Sequence, residues 1–251
     1  MKKGKNKKIY RTNSTPVKYK RVLIKLGGES LAGEGLNINP KLVDEIASYI
    51  IEISKEGVEV AITVGGGNIF RGESASKKGM ERVTADNIGM LATVMNGLAL
   101  QDSLERLGSE TRVLSAIEMK EIAEPYIRRR AIRHLEKGRV VIFCAGTGSP
   151  YFTTDTSAVI KAKEIDADII MKATKVDGVY DKDPMTYSDA KMFDKLNYLE
   201  AINRGIKVID TTALSYCMEY DMPIAIFNLN PKENMLKVIK GNRIGTVIDK
   251  E

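Results

Sequence analysis

Val22-Leu-Ile-Lys-Leu-Gly-Gly-Glu-Ser30 decides the reading of the fold: a short apolar run that ends in a lysine and a pair of glycines. The pattern returns twice. Val58-Glu-Val-Ala-Ile-Thr-Val64 runs into Gly65-Gly-Gly-Asn-Ile-Phe-Arg-Gly72, and Val140-Val-Ile-Phe-Cys144 runs into Ala145-Gly-Thr-Gly-Ser-Pro-Tyr-Phe-Thr-Thr-Asp155. Short runs rich in β-branched residues read as strands buried on both faces of a parallel sheet, and such sheets bind ligands beyond the carboxyl ends of their strands. Glycine there lets backbone amides close around phosphate oxygens. One Gly-Gly would be an ordinary turn. Three turns that carry Lys25, Arg71 and a Thr-Thr-Asp cluster mark a phosphate-handling site, and the chain is expected to move a phosphoryl group.

Outward from these turns, strands alternate with helices. Helices are expected at about 40–55, 82–106, 117–137, 154–165, 198–204, 211–220 and 232–240. Further strands are expected near 112–114, 169–172, 207–209 and 224–227. The alternation indicates a doubly wound α/β sandwich. In 82–106, Ile88, Leu91, Met95 and Leu98 form one apolar face and Met90, Val94, Gly97 and Leu104 another. A helix apolar around so much of its surface is buried on more than one side, by its own chain or by a second subunit.

At 251 residues and 43% hydrophobic, the chain can bury one large core, so a single domain over 18–251 is the expectation. No run is long enough to span a membrane and no apolar signal segment opens the sequence, which points to a soluble, cytoplasmic protein. Cys144 and Cys217 show no metal or redox spacing and are read as reduced and buried. The net charge of +6 is unevenly placed. Of the 39 Lys and Arg, nine lie in residues 1–21 with no acid among them, which leaves 30 against 33 Asp and Glu. Residues 1–17 read as a disordered basic tail. Weak contact of that tail with nucleic acid is the only nucleic-acid role expected.

The single histidine, His134, lies in the polar stretch Arg128-Arg-Arg-Ala-Ile-Arg-His134, and a solvated helix face is its expected setting. Chemistries that need a histidine base or ligand lose most of their support. Transfer to a phosphate acceptor does not, because a phosphate monoester is already largely dianionic at neutral pH. Holding two anions in line needs only Lys, Arg, Mg²⁺ and backbone amides. Neither a Walker A motif nor G-x-G-x-x-G stands at the strand exits.

Together with Met90-Leu-Ala-Thr-Val-Met-Asn-Gly97 and Lys172-Ala-Thr-Lys-Val-Asp-Gly-Val-Tyr180, the three turns resemble the bacterial uridylate kinases of the amino-acid-kinase superfamily, in order from about residue 18 to 249. The Phe-Arg-Gly extension and the Pro-Tyr-Phe-Thr-Thr-Asp stretch are specific to the uridylate branch. The resemblance implies a three-layer αβα sandwich around a mainly parallel sheet. It also implies transfer of the ATP γ-phosphoryl group to UMP in pyrimidine nucleotide biosynthesis, with ATP and UMP as partners, Mg²⁺ as cofactor and a homohexamer inhibited by UTP.

Residue by residue, it implies catalytic roles for Lys25, Arg71, Asp155 and Asp210. Lys25 would stabilise the transferring group, and Arg71 would grip the UMP phosphate as a bidentate fork, with a surface ion pair as its alternative. Asp155 and Asp210 would orient Lys25 or hold Mg²⁺ through water, although each also reads as a helix cap. ATP would meet Lys25, Leu26, Gly27, Gly28, Gly67, Arg71, Thr174, Tyr180 and Asp183. UMP would meet Gly66, Asp86, Thr147, Gly148, Ser149, Pro150, Tyr151, Phe152, Thr153 and Thr154, with Asp86 accepting from ribose hydroxyls unless it caps a helix. No dedicated cluster of metal-ligating carboxylates is present, so the phosphates of ATP would hold the Mg²⁺. Gln101, Glu105, Arg112 and Arg128-Arg129-Arg130 depart from the pattern of members controlled by GTP. The alternative function is a sibling kinase that makes an acyl phosphate. A non-catalytic nucleotide-binding protein on the same fold is disfavoured by Lys25, Asp155 and Asp210.

Overall fold

The computed structural model describes residues 16–250. The expected tail falls almost wholly in 1–15 and so lies outside the described residues, while Val17 already packs against the core. Strand β1, Arg21–Leu26, alternates its side chains across the sheet: Val22, Ile24 and Leu26 enter one hydrophobic cluster and Leu23 the other. That alternation makes three layers. Helices α1 (Pro40–Lys55), α3 (Arg82–Arg106) and α8 (Asn234–Ile239) cover the first cluster; α4 (Arg128–Glu136), α5 (Thr154–Glu164) and α7 (Thr211–Tyr220) cover the second. Short helices α2 (Gly72–Lys77) and α6 (Tyr198–Asn203) complete the set.

The nine-stranded sheet joins β1 to β2 (Glu59–Val64), β3 (Thr111–Ser115), β4 (Glu124–Pro125), β5 (Val140–Cys144), β6 (Ile169–Thr174), β9 (Lys195–Asn197), β10 (Ile224–Asn228) and β11 (Thr246–Asp249). Its order is β4-β3-β5-β2-β1-β6-β10-β11-β9, and only the β10–β11 pair is antiparallel. Strands β7 (Val179–Tyr180) and β8 (Met192–Phe193) pair separately as a small antiparallel ribbon. The expected fold class therefore stands: an α/β sandwich about a mainly parallel sheet.

Three local expectations fail. The helix expected over 117–137 is only α4, because Ser115 closes a turn on Ile117 with its hydroxyl and Pro125 extends the chain beside β3. Residues 207–209 form no strand; β11 occupies the place beside β10, and the segment leads instead into the cap of α7. His134 is 9% exposed, not solvated. Its Nε2 lies 3.2 Å from the Glu124 carboxylate and its Nδ1 3.1 Å from Arg139, so the buried histidine joins two partly exposed charged partners. Both cysteines are buried and free, and burial pushes the Cys144 thiol up to about 12, as expected of structural thiols.

Candidate active site

Strand β1 lies between β2 and β6; the chain leaves β1 toward β2 on one side and leaves β6 toward β10 and β11 on the other, so a crevice opens at the carboxyl ends of β1 and β6. Lys25 stands there. It is in register with Lys172 on β6, and both point toward the layer that holds α5. Two ammonium groups side by side on neighbouring strands repel, and Asp155 in the first turn of α5 resolves the conflict. One carboxylate oxygen lies 3.0 Å from Lys25 Nζ and the other is bonded to Lys172 Nζ. Burial pushes the Lys172 ammonium down to about 8, against the raising influence of Asp155. Burial alone would raise Asp155, but Lys25 and Lys172 together hold it below the usual carboxylate range.

Asp155 is not a cap. Thr153 caps α5, its hydroxyl accepting from the amides of Asp155 and Thr156, while Thr153 Oγ1 donates to Asp210 at 2.5 Å. Asp210 is a cap: it accepts from the Ala213 amide at 2.8 Å at the start of α7. The structure thus joins Asp210 to the α5 turn through Thr153, and Asp155 directly to Lys25.

Beside this cluster opens a cleft of about 630 Å³. Gly66, Gly67, Arg71, Asp86, Thr147, Ser149, Phe152, Thr153 and Thr154 line it, which brings most of the residues expected at UMP into one space. The second glycine turn must be glycine at Gly66, where a Cβ would lie 2.8 Å from Ala92 Cβ and from the Gly89 carbonyl of α3. Gly148, Pro150 and Tyr151, also expected at UMP, do not line the cleft but form the turn beside it. Gly148 has φ +78, and a Cβ there would lie 3.1 Å from the Ala116 carbonyl, while Tyr151, a non-glycine at φ +71, turns its amide to donate to Asp86 at 2.8 Å. Pro150 lies in the same turn, and the Tyr151 ring itself is 67% exposed.

Asp86 does not cap α3; Glu81 does. Asp86 instead holds Arg82 Nε at 2.8 Å together with the Tyr151 amide, and the Arg82 guanidinium lies over the Tyr151 ring. Arg71 donates from Nε to the Gly67 carbonyl at 3.2 Å and from Nη2 to Glu29 at 2.7 Å. It therefore both lines the cleft and makes the ion pair considered as its alternative role.

Leu26 is buried in the core, and Gly27 and Gly28 turn the chain beneath the second glycine turn; a Cβ on Gly28 would lie 2.8 Å from the Gly65 carbonyl. Thr174, Tyr180 and Asp183 do not line the cleft. They follow the end of β6, where Thr174 donates to the Val176 carbonyl at 2.7 Å and Asp183 holds the amide of Met185 at 2.9 Å.

Polar residues of the site missed in the sequence include Lys172, Arg82 and Glu29. Lys172 carries a legible signal, since a lysine inside the apolar strand Ile169-Ile-Met-Lys-Ala173 must find a buried partner. Arg82 and Glu29 carry no comparable signal.

The sequence profile of the Amino acid kinase family matches residues 20–228. Among solved structures, the chain is similar to the UMP kinase from Bacillus anthracis, with 43% identity, a TM-score of 0.90, and 93% of this chain and 97% of that one covered. It is similar to the UMP kinase from Ureaplasma parvum at 37% identity and a TM-score of 0.87, covering 92% and 99%. The uridylate kinase from Archaeoglobus fulgidus is 29% identical with a TM-score of 0.69, covering 90% and 99%.

Proposed function

The chain belongs to the amino acid kinase family, and on that premise we propose that it is a UMP kinase, a transferase that passes the γ-phosphoryl group of ATP to UMP to give ADP and UDP. One observation carries the reading: Arg71, Asp86 and the first turn of α5 face a single cleft beside the Lys25–Asp155–Lys172 cluster. A nucleoside monophosphate fits this set. Its phosphate finds a guanidinium and a helix N-terminus, and its ribose hydroxyls find a carboxylate that accepts but does not donate.

UMP brings its own nucleophile, an ionised phosphate oxygen, so no general base is required. Lys25 and Lys172 are held close to the seat of the transferring group, where their charge opposes the negative charge that builds in the transition state. Asp155 keeps the two ammonium groups apart and aimed. Asp210 steadies the α5 turn through Thr153. Thr174, Tyr180 and Asp183 are proposed for the adenosine half of ATP, on the other side of the glycine turns from UMP.

Mg²⁺ is proposed to arrive with ATP. Among the described residues no three His, Cys, Asp or Glu side chains gather into a metal site, and Asp155 is committed to two lysines. The phosphates and water would supply its remaining ligands and its charge would help neutralise theirs. The reaction belongs to pyrimidine nucleotide biosynthesis, and a cytoplasmic setting goes with it. Among the described residues no helix is long and apolar enough to cross a membrane. A homohexamer under allosteric control by UTP belongs to the same proposal; Leu91 and Met95 of α3, 50% and 53% exposed, offer an apolar face for a second copy.

ADP release measured with UMP, CMP, glutamate, aspartate and carbamate as acceptors tests the reading. Release dependent on UMP supports it. Release with a carboxylate or carbamate and none with UMP replaces it with an acyl-phosphate-forming kinase.

A further inference from the structure

We infer that Glu29 is a displaceable counter-ion of Arg71, a carboxylate that holds the guanidinium over the two glycine turns and yields its seat when a substrate phosphate binds. The inference rests on the kinase reading above. Glu29 sits in the single 3-10 turn Gly28–Leu31 that leaves β1. Its Oε1 accepts from Arg71 Nη2 at 2.7 Å. The same oxygen lies over Gly67, where a Cβ would come within 2.9 Å of it, and Oε2 lies over Gly27, where a Cβ would come within 3.0 Å. The carboxylate thus occupies a recess that exists because both turns lack side chains there.

Carboxylate and phosphate oxygens are interchangeable acceptors for a guanidinium fork. The seat that Glu29 takes at Arg71 Nη2 suits either anion. The two cannot share it, since like charges at contact distance repel. The pair is built to open: its side chains are 65% and 37% exposed, and exposed ion pairs cost little to break. The Gly67 carbonyl continues to hold Arg71 Nε at 3.2 Å, so release of Nη2 would leave the guanidinium aimed into the cleft.

Binding of UMP to the Glu29→Gln variant, followed by calorimetry, tests the inference. Without a carboxylate to displace, the Kd for UMP should fall about two- to fivefold, the range an exposed ion pair commands, with an unchanged melting temperature. A residue that serves only to stabilise the turn would not tighten binding. In a structure of the wild-type protein with UMP bound, Glu29 and Arg71 should stand more than about 4 Å apart, beyond ion-pair reach. An unchanged or raised Kd in the variant, or an intact Glu29–Arg71 contact in the UMP complex, overturns the inference. Wild-type protein that neither binds nor phosphorylates UMP defeats the kinase reading separately, and the Glu29 test then runs on adenylyl imidodiphosphate with Mg²⁺, under the same expectation.

Discussion

Lys25 and Lys172 are proposed to carry the chemistry, and burial sets Lys172 apart. Lys172 is the more buried, and its ammonium is pushed down to about 8. The cation is present below that pH and is lost above it. The kcat/KM for UMP, which reports the free enzyme, should therefore fall as pH rises through about 8, and Lys172→Arg, whose guanidinium stays charged, should abolish that limb. A wild-type profile flat to pH 9.5 would remove Lys172 from the reaction. For Asp155 the sign is opposite: its pairing survives acidification until the pH falls below the ordinary carboxylate range. Lys25→Ala should retain the fold and nucleotide binding but lower kcat roughly a hundredfold or more, because a cation aimed at developing charge acts mainly in the transition state; near wild-type kcat in the pure variant would refute the role. At this scale the sequence was partly legible. Lys25, Arg71 and Asp155 stand at strand exits beside glycines, where position announces chemistry. Glu29 also follows a glycine pair and Arg82 opens α3, but only the folded chain shows which partners they meet.

At the scale of elements, helix starts carry the site. Thr153 and Asp210 cap α5 and α7 and are bonded to each other, so two helix N-termini are tied together next to the lysines. Substitution separates cap from charge at Asp210. Asp210→Asn preserves a good cap and should leave the melting temperature within about 1 °C, since a cap's stability is intact, yet lower kcat roughly tenfold through loss of a negative charge near Lys172. Asp210→Ala should lose the cap as well, about 1 kcal/mol and roughly 2–4 °C. An Asn variant with wild-type kcat would reduce Asp210 to a cap. Strong caps also explain which elements the sequence revealed. Asn39-Pro40 starts α1 where expected, its side chain accepting from the Lys41 amide. The helix expected from 117 has no such start, and Pro125 lies in strand β4 within its expected span. Strand β11 escaped notice because Thr246-Val-Ile-Asp249 is short, and its pairing with β10 is a tertiary fact.

For the whole molecule, the topology explains why the site is where it is. β1 is the switch point of the sheet, and two of the three glycine turns, after β1 and β2, meet at its carboxyl end while α5 brings in the third. That much follows from alternating strands and glycines. What the sequence left open was the outer side of α3: Met90 and Val94 are buried, but Leu91 and Met95 remain half exposed on the single chain. Replacing both Leu91 and Met95 with Glu should lower the sedimentation mass from a multiple of the chain toward one subunit, with the circular dichroism spectrum retained, because charge is expensive in an apolar interface. An unchanged assembly would exclude this face as the contact. Whether Arg71 holds UMP in the cleft by its phosphate is read in the steady-state kinetics of the Arg71→Ala variant. The KM for UMP should rise roughly ten- to a hundredfold, the worth of one charge-assisted contact, with a far smaller change in KM for ATP; an unaltered KM for UMP would show that Arg71 does not hold its phosphate.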